Sequence, residues 1–594
     1  MQRFSSPLPF LATLITAIVT AVLIAGSTGA GKAQGRSLVE PIIVRIYYEE
    51  IGDLNQLQGF DLFEYNNVVE HYILAALSET ELLALQDGGW RVVEERPSWL
   101  APAPQSYYKG YRTVDELYQE MAWLNAQYPT LTELVPYGQS YCYTQNGCET
   151  PDGDQTSGYE LLAMRVTNEG VSGASDIGND SITRGEKPVF FLLANIHARE
   201  LTTAEIAMRW LDLLLDQYGQ DTDITWLVDW HELWIIPTAN PDGHWITELD
   251  TADGYPLLHR KNFDRDADED GVVDCDVWPS LSYSQFGVDL NRNSSFAWQD
   301  PGSMTSACEQ TYSGPAPASE PEVAALQEII ADLFDDRRGP GVDDPADENS
   351  SGLLLTLHSY GNMVLRPWAF MGDAPPNEES LKAIGDKLAG LSGYHSCRSP
   401  ECLYFSGGTT DDWAYGELGI PAFTFEIGME EEGFRPPYTV IDAHQWPENR
   451  AAFLYAARIA RAPYQLAHGP DAVNLAVVVN PGGEATAEVL IESSGEIVKS
   501  AEYSIDVPFW NPGVEPQPMN ALDDQAGISM AFTADLDTGI LATGRHTIFV
   551  RGSDGDGNIG PTSAAFFEIR DSGDQPNFTF LPIFHGMAQP KHIN

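Results

Sequence analysis

The sequence predicts an α/β fold in which a sheet is covered by helices on both faces, and three observations carry that prediction. Apolar runs recur through the middle of the chain: KPVFFLLAN (187–195), ELWIIPTA (232–239), GLLLTLHSY (352–360) and PAFTFEIG (421–428). They lack the alternation of a half-exposed strand, so each reads as a strand buried on both sides. Helical stretches such as TTAEIAMRWLDLLLDQYG (202–219) separate them, the order of an α/β sheet rather than of segregated layers. At 594 residues the chain is also too long for one ordinary domain, so flanking units are expected.

From the N-terminus, residues 1–35 read as a secretory signal peptide, with an uncleaved membrane anchor as the alternative reading. Arg3 precedes the apolar stretch LPFLATLITAIVTAVLIAG, and the small residues Ser27, Thr28, Gly29 and Ala30 follow. No later segment is apolar enough to span a bilayer, so no stable membrane insertion is expected once the signal is removed. Residues 36–105 read as a small α+β unit with strand IIVRIYY, helix ETELLALQDGG ending at glycine, and strand WRVVEE. The APAPQS linker after it suggests a propeptide joined by a cleavable segment, with a plain accessory domain as the rival reading. Residues 106–466 hold the buried strands, beginning with the amphipathic helix TVDELYQEMAWLNAQYP and ending near ARAPY. Residues 467–572 turn to short alternating strands at regular spacing, the pattern of an immunoglobulin-like β-sandwich. Residues 573–594 form a tail with one apolar patch, FTFLPIF.

Composition narrows the function. Asp and Glu number 87 against 32 Lys and Arg, a net charge of −55. Such a chain cannot neutralise a phosphate backbone, which excludes nucleic acid as a partner. The acidic surface suits a soluble extracellular protein and could attract basic peptides. Six cysteines fit that compartment, and the simplest pairing joins sequence neighbours: Cys142 with Cys148, Cys275 with Cys308, Cys397 with Cys402.

Three predicted strands end in metal-binding or acid–base residues. FFLLAN runs into Ile196-His197-Ala198-Arg199-Glu200, LLLTL into His358, and AFTF into Glu426. Ligands of open α/β sheets bind beyond the strands' carboxyl ends, so the site belongs there. Two histidines and a glutamate form a known hydrolytic zinc set that leaves one position open. The H-x-x-E spacing at the mouth of a helix would put His197 and Glu200 on one face. Alone, that spacing is common by chance. Other histidines, His231, His244 and His444 among them, lack such company and read as structural or exposed.

Over about 111–461 the segments NIHARE, TANPDG, HRKN, GVDLNRN, LHSYG, YFSGGTTDDWAYG and FTFE stand in the order of the zinc carboxypeptidases, which this region resembles. The resemblance implies a mixed twisted sheet, a Zn2+ cofactor, and peptides or proteins with a free C-terminus as substrates of a secreted, monomeric enzyme. It implies His197, Glu200 and His358 as zinc ligands, Asp289 as the carboxylate orienting the first histidine, and Glu426 as general base. Arg260 resembles the arginine that steadies the scissile carbonyl oxygen. Asn291 and Arg292 match the pair gripping the substrate carboxylate, with Tyr404 closing over it and Arg199 contacting residues further along. Asp411 falls at the floor of the pocket for the last side chain, where an acidic residue resembles the enzymes that remove C-terminal Lys or Arg.

Between HRKN and GVDLNRN the chain departs from the family with an acidic insert. From Asp266 it reads D-x-D-x-D-G, so Asp266, Asp268, Asp270 and Asp274 are candidate Ca2+ ligands. Val277 stands at the twelfth place, so this is no EF-hand. Two other readings stand beside the carboxypeptidase: a cell-wall peptide hydrolase of the same superfamily, and a non-catalytic binding protein that kept the fold. Asn291, Arg292 and Tyr404 count against the first, and Glu426 with an intact tripod against the second.

Overall fold

The computed structural model describes residues 42–57, 59–67, 71–94, 110–178, 182–249, 256–275, 278–279, 284–480, 483–522 and 525–570. The expected signal peptide, the APAPQS linker and the 573–594 tail lie outside the described residues.

The first folded unit is a four-stranded antiparallel sheet of order β2-β3-β1-β4, formed by β1 (Ile42–Tyr47), β2 (Asp61–Asn67), β3 (Tyr72–Leu77) and β4 (Arg91–Glu94). Helix α1 (Glu79–Asp87) packs Leu82 and Leu85 inward and starts at a capping box, with Ser78 and Glu81 satisfying each other's backbone N–H.

The central sheet has eight strands in the order β11-β10-β12-β9-β7-β8-β6-β5. Helix α2 (Val114–Gln127) leads into β5 (Thr132–Gln139), β6 (Glu160–Val166) and β7 (Val189–Ala194). Next come α3 (Leu201–Gln217), α4 (Thr222–Trp230), β8 (Glu232–Ile236), α5 (Pro241–Glu248) and α6 (Pro321–Leu333). The last part holds β9 (Leu353–His358), β10 (Met363–Arg366), α7 (Glu378–Ser392), β11 (His395–Arg398), α8 (Thr410–Leu418), β12 (Ala422–Glu426) and α9 (Trp446–Ile459). The sheet is mixed: β7, β8, β9 and β12 pair in parallel, while β6 and β10 join antiparallel.

Residue alternation on β7 explains the sandwiching. Phe190, Leu192 and Ala194 enter one core with α2, α3, α4, α7 and α9. Val189, Phe191 and Leu193 enter a second core with α6 and α8. Burying both faces requires an unbroken apolar strand, which is what the sequence supplies.

The C-terminal region is two packed antiparallel sheets. One, of order β13-β14-β18-β17, contains β13 (Asp471–Val479), β14 (Ala485–Glu492), β17 (Asn520–Ala521) and β18 (Ser529–Leu536). The other, of order β16-β15-β19-β20, contains β15 (Val498–Ile505), β16 (Gln517–Pro518), β19 (Gly544–Asp554) and β20 (Ser563–Ile569). Alternate residues, among them Ala487, Val489, Ile491, Ile548 and Val550, fill the shared core. All six cysteines form disulfides, in the pairs Cys142–Cys148, Cys275–Cys308 and Cys397–Cys402. No helix among the described residues is long and apolar enough to cross a membrane.

Candidate active site

The site sits at the carboxyl ends of β7, β9 and β12. Strand β7 stops at Ala194, and Asn195 adopts a left-handed backbone (φ 53°) that turns the chain into a tight loop. The Asn195 amide then donates to the carbonyls of His197, Ala198 and Glu200 at 3.2–3.3 Å. Its side-chain oxygen accepts from Thr238 and lies 2.7 Å from His244 Nδ1. Asn240 donates to the carbonyl of Ile196 from the neighbouring loop. A buried loop must satisfy its backbone groups, and these two asparagines do so here.

Helical spacing is not what joins His197 to Glu200, contrary to the sequence-based expectation. Both precede α3, and Glu200 is its N-cap with a non-helical backbone (φ −90°, ψ 62°). Its carboxylate leaves the helix end uncapped and turns to the histidines instead. His197 Nδ1 lies 2.8 Å from Glu200 Oε1, His358 Nδ1 lies 3.2 Å from Glu200 Oε2, and the two Nδ1 atoms are 3.0 Å apart. All three residues are buried. Two imidazole nitrogens and a carboxylate converging on one point, away from bulk water, are the donor set of a hydrolytic zinc site. Burial holds the His358 imidazole below its ordinary pKa. Burial alone would raise the Glu200 carboxyl, but the flanking histidines overcome it and hold the group ionised. The residues therefore fit zinc.

Around this tripod, Asp289 Oδ1 meets His197 Nε2 at 3.2 Å, fixing that nitrogen as the protonated one. Asp289 Oδ2 accepts from Arg260 Nε and Nη2 at 3.1 and 3.0 Å, so one carboxylate orients both His197 and the arginine. Burial works against ionisation of Asp289, yet Arg260 and His197 bring its carboxyl well below the usual range. Glu426 ends β12, and the parallel register sets it directly opposite His358 on β9. Register alone thus delivers the carboxylate beside His358.

A cleft opens beside His197 and His358, lined by Arg260, Asn291, Arg292, Tyr404, Asp411 and Glu426. Asn291 Oδ1 accepts from the backbone and hydroxyl of Thr410, the residue before Asp411. Arg292 is held by the carbonyl of Asn291 and the hydroxyl of Ser406. Asp411 is buried at the start of α8, beside Asp412, whose carboxylate accepts from the backbone of Ala369 and Phe370. Burial, then the neighbouring Asp411, raises the Asp412 carboxyl well above its ordinary value. Arg199 lies apart from this cleft, stacked 4.3 Å over Phe434 and facing a second cavity with Gln310 and Phe60. In the acidic insert the carboxylates of Asp266, Asp268 and Asp270 gather closely, whereas Asp274 accepts the N–H of Ala267 at 2.8 Å.

The sequence assigned no role to Asn195, Asn240 and Gln285. It marked His244 as structural or exposed, and burial against Asn195 bears that out as structural. Gln285 anchors Arg260 by accepting its backbone N–H at 2.8 Å. Asn195 and Asn240 stand inside the quoted NIHARE and TANPDG segments, so the motif text held a signal; Gln285 had none.

An α/β sheet carrying a buried His-Glu-His tripod at its strand ends, with a glutamate opposite, defines a metallohydrolase class of site. The chain belongs to the zinc carboxypeptidase family, whose sequence profile matches residues 117–452. Among curated relatives, carboxypeptidase A2 of Rattus norvegicus is 28% identical over 327 residues, covering 54% of this chain and 63% of that protein. Carboxypeptidase B of Astacus astacus is 26% identical over 327 residues, covering 54% of this chain and 87% of that protein. The crystal structure of thrombin activatable fibrinolysis inhibitor aligns at a TM-score of 0.49 with 20% identity, covering 71% of this chain and 98% of that one. The chain thus spans less than two thirds of the length of the first of these relatives.

Proposed function

We propose that the protein is a secreted zinc carboxypeptidase that releases the last residue of peptides and proteins, with a preference for C-terminal Lys or Arg. One observation carries the reading: a single cleft, reached by His197 and His358 of the tripod, also gathers Glu426, Arg260, the Asn291–Arg292 pair and Asp411.

The fork of Arg292, with the Asn291 amide, would bind the terminal carboxylate in two bonds and so fix which peptide bond reaches the tripod. The side chain of the last residue would enter beside Asp411, where a buried carboxylate favours a cationic partner. Held by His197, Glu200 and His358, zinc would supply Lewis acidity toward the scissile carbonyl and a lowered pKa for water. Glu426 would take the proton of the attacking water and pass it to the leaving amine. Arg260, kept in place by Asp289, would stabilise the charge growing on the carbonyl oxygen.

The N-terminal unit would act as a propeptide. Phe60 and Leu62 line the cavity that Arg199 faces, so peptide entry would require that unit to leave. Secretion is supported by the apolar start of the sequence and by the pairing of all six cysteines. Calcium would bind at Asp266, Asp268 and Asp270, and a rise in melting temperature on adding it would test that. The carboxypeptidase reading is tested by mass spectrometry of peptides with free and amidated C-termini. Stepwise loss of terminal residues from the free peptides alone is expected; equal cleavage of the amidated ones would point to an internal hydrolase.

A further inference from the structure

We propose that the Cys397–Cys402 disulfide is a positioning device for Tyr404, keeping its loop in the substrate-ready place once the N-terminal unit has left. The proposal rests on the carboxypeptidase reading above and adds a part to it. Tyr404 lines both the cleft and the second cavity, and Ser399 and Leu403 line the cleft beside it. All three belong to one segment that is fixed at its two ends. At one end, Cys397 pairs with Leu365 in the register of β11 on β10. At the other, the Ser406 N–H donates to the carbonyl of Ala369 at 2.9 Å, and its hydroxyl accepts from Arg292 at 3.2 Å. Between these anchors the chain makes one helical turn, Ser399–Cys402, and runs on through Leu403 to Tyr404.

The segment is held from two sides. From outside, Asn66 of the N-terminal unit donates to the carbonyl of Cys402 at 2.7 Å, and Asn55 accepts the N–H of Phe405 at 3.1 Å, so the two bonds bracket Tyr404. Leu54, Leu57 and Leu62 join Cys397, Cys402 and Leu403 in one apolar cluster, and both cysteines are buried there. Departure of the unit removes that whole set of contacts. From inside, the disulfide ties Cys402 to the sheet, and the Ser399 hydroxyl donates to the carbonyl of Tyr404 at 2.7 Å. Glu401 also reaches Arg366 on β10 at 3.4 Å, but its side chain is 40% exposed, where an ion pair holds little. The covalent tie at Cys402 leaves 403–405 between fixed points. Without it the whole of 398–405 would spread over more conformers, and substrate binding would have to order them. Tyr404 is placed by the family resemblance over the substrate carboxylate, so the effect belongs to binding and falls on KM.

The test compares wild type with the double variant Cys397→Ser, Cys402→Ser, each as the full chain and after cleavage in the APAPQS linker. In the cleaved variant KM for a peptide with a free C-terminus should rise by about three- to tenfold, with kcat within about twofold. Limited proteolysis should cut that form within 398–405 and spare the full-length variant, whose loop Asn55 and Asn66 still hold. A second arm covers a variant that fails to fold. Cleaved wild type is treated with a dithiol reductant, which gives two electrons and two protons to the S–S bond and itself becomes a disulfide. The thiols are then alkylated and mapped by mass spectrometry, and the rise in KM should track alkylation of Cys397 and Cys402 and not that of the other four cysteines. A KM unmoved by either route, or a fall in kcat that merely follows a lower melting temperature, would overturn the proposal and leave the carboxypeptidase reading standing. No release of a terminal residue by wild type would overturn that reading, while cleavage within 398–405 would still decide what holds the loop.

Discussion

Glu426 carries the sharpest prediction at the scale of single residues. Glu426→Gln keeps size and hydrogen bonding but cannot accept a proton. Steady-state kinetics should show kcat lower by about 10²–10⁴ with KM little changed and metal content retained. Asp411→Ala should lower kcat/KM for peptides ending in Arg by at least about 30-fold, while peptides ending in Leu gain relative to Arg. Faster release of Phe than Arg by the wild type would remove the role given to Asp411. Residues with chemistry of their own were the legible part of the site, because His, Glu and Arg at strand ends stand out in a linear sequence. Residues that act through others were not. Asn195 supports three carbonyls of the ligand loop, and Gln285 positions Arg260, yet an isolated amide in sequence carries no mark of what it holds.

Elements explain why some expectations needed revision and where pH enters. The four apolar strands were readable because full burial forces continuous hydrophobicity. Their order in the sheet was not, since β10 and β6 enter antiparallel through contacts remote in sequence. The His197–Glu200 pair was expected on a helix and instead lies in the loop that Asn195 folds before α3. At the start of α6, Glu320 accepts from Asn262 Nδ2 at 2.6 Å and from Ser319 at 2.9 Å, beside the HRKN segment. Burial, followed by the charge of Asp264, pushes its carboxyl from 4.5 up to about 7. A carboxyl raised on folding is protonated in the native state while the unfolded chain ionises. Its stabilising effect is therefore complete below about 4.5 and is lost as pH rises through about 7. Thermal melts of Glu320→Gln and wild type should accordingly diverge in favour of the variant as pH increases over that window. A constant difference at every pH would contradict the assignment.

At the scale of the whole molecule, the sandwich is a brace on the α/β domain. Trp510 packs against Trp226 and Trp230, with ring centroids 5.7 and 6.2 Å away, and lies under Arg461 at 4.3 Å. Arg458 reaches from α9 to the carbonyl of Thr562 and the hydroxyl of Ser563. Trp510→Ala should cost about 2 kcal/mol, read as a lower melting temperature with catalysis unchanged below the transition. Alternating strands made the sandwich visible in sequence, but nothing local announced that Trp510 would serve an interface. The molecule as a whole thus sets the His197–Glu200–His358 tripod and Glu426 at the strand ends of one sheet. One appended unit packs against Tyr360 and Phe434, another braces the domain, and the proposed role of that tripod is as a zinc site. The measurement that bears most directly on that claim is release of the C-terminal residue by the processed protein before chelation, after chelation and after zinc is returned. Activity should vanish with the metal and return with zinc, and His358→Ala should show none under any condition. Activity that persists undiminished in the metal-free protein would contradict the assignment of His197, Glu200 and His358.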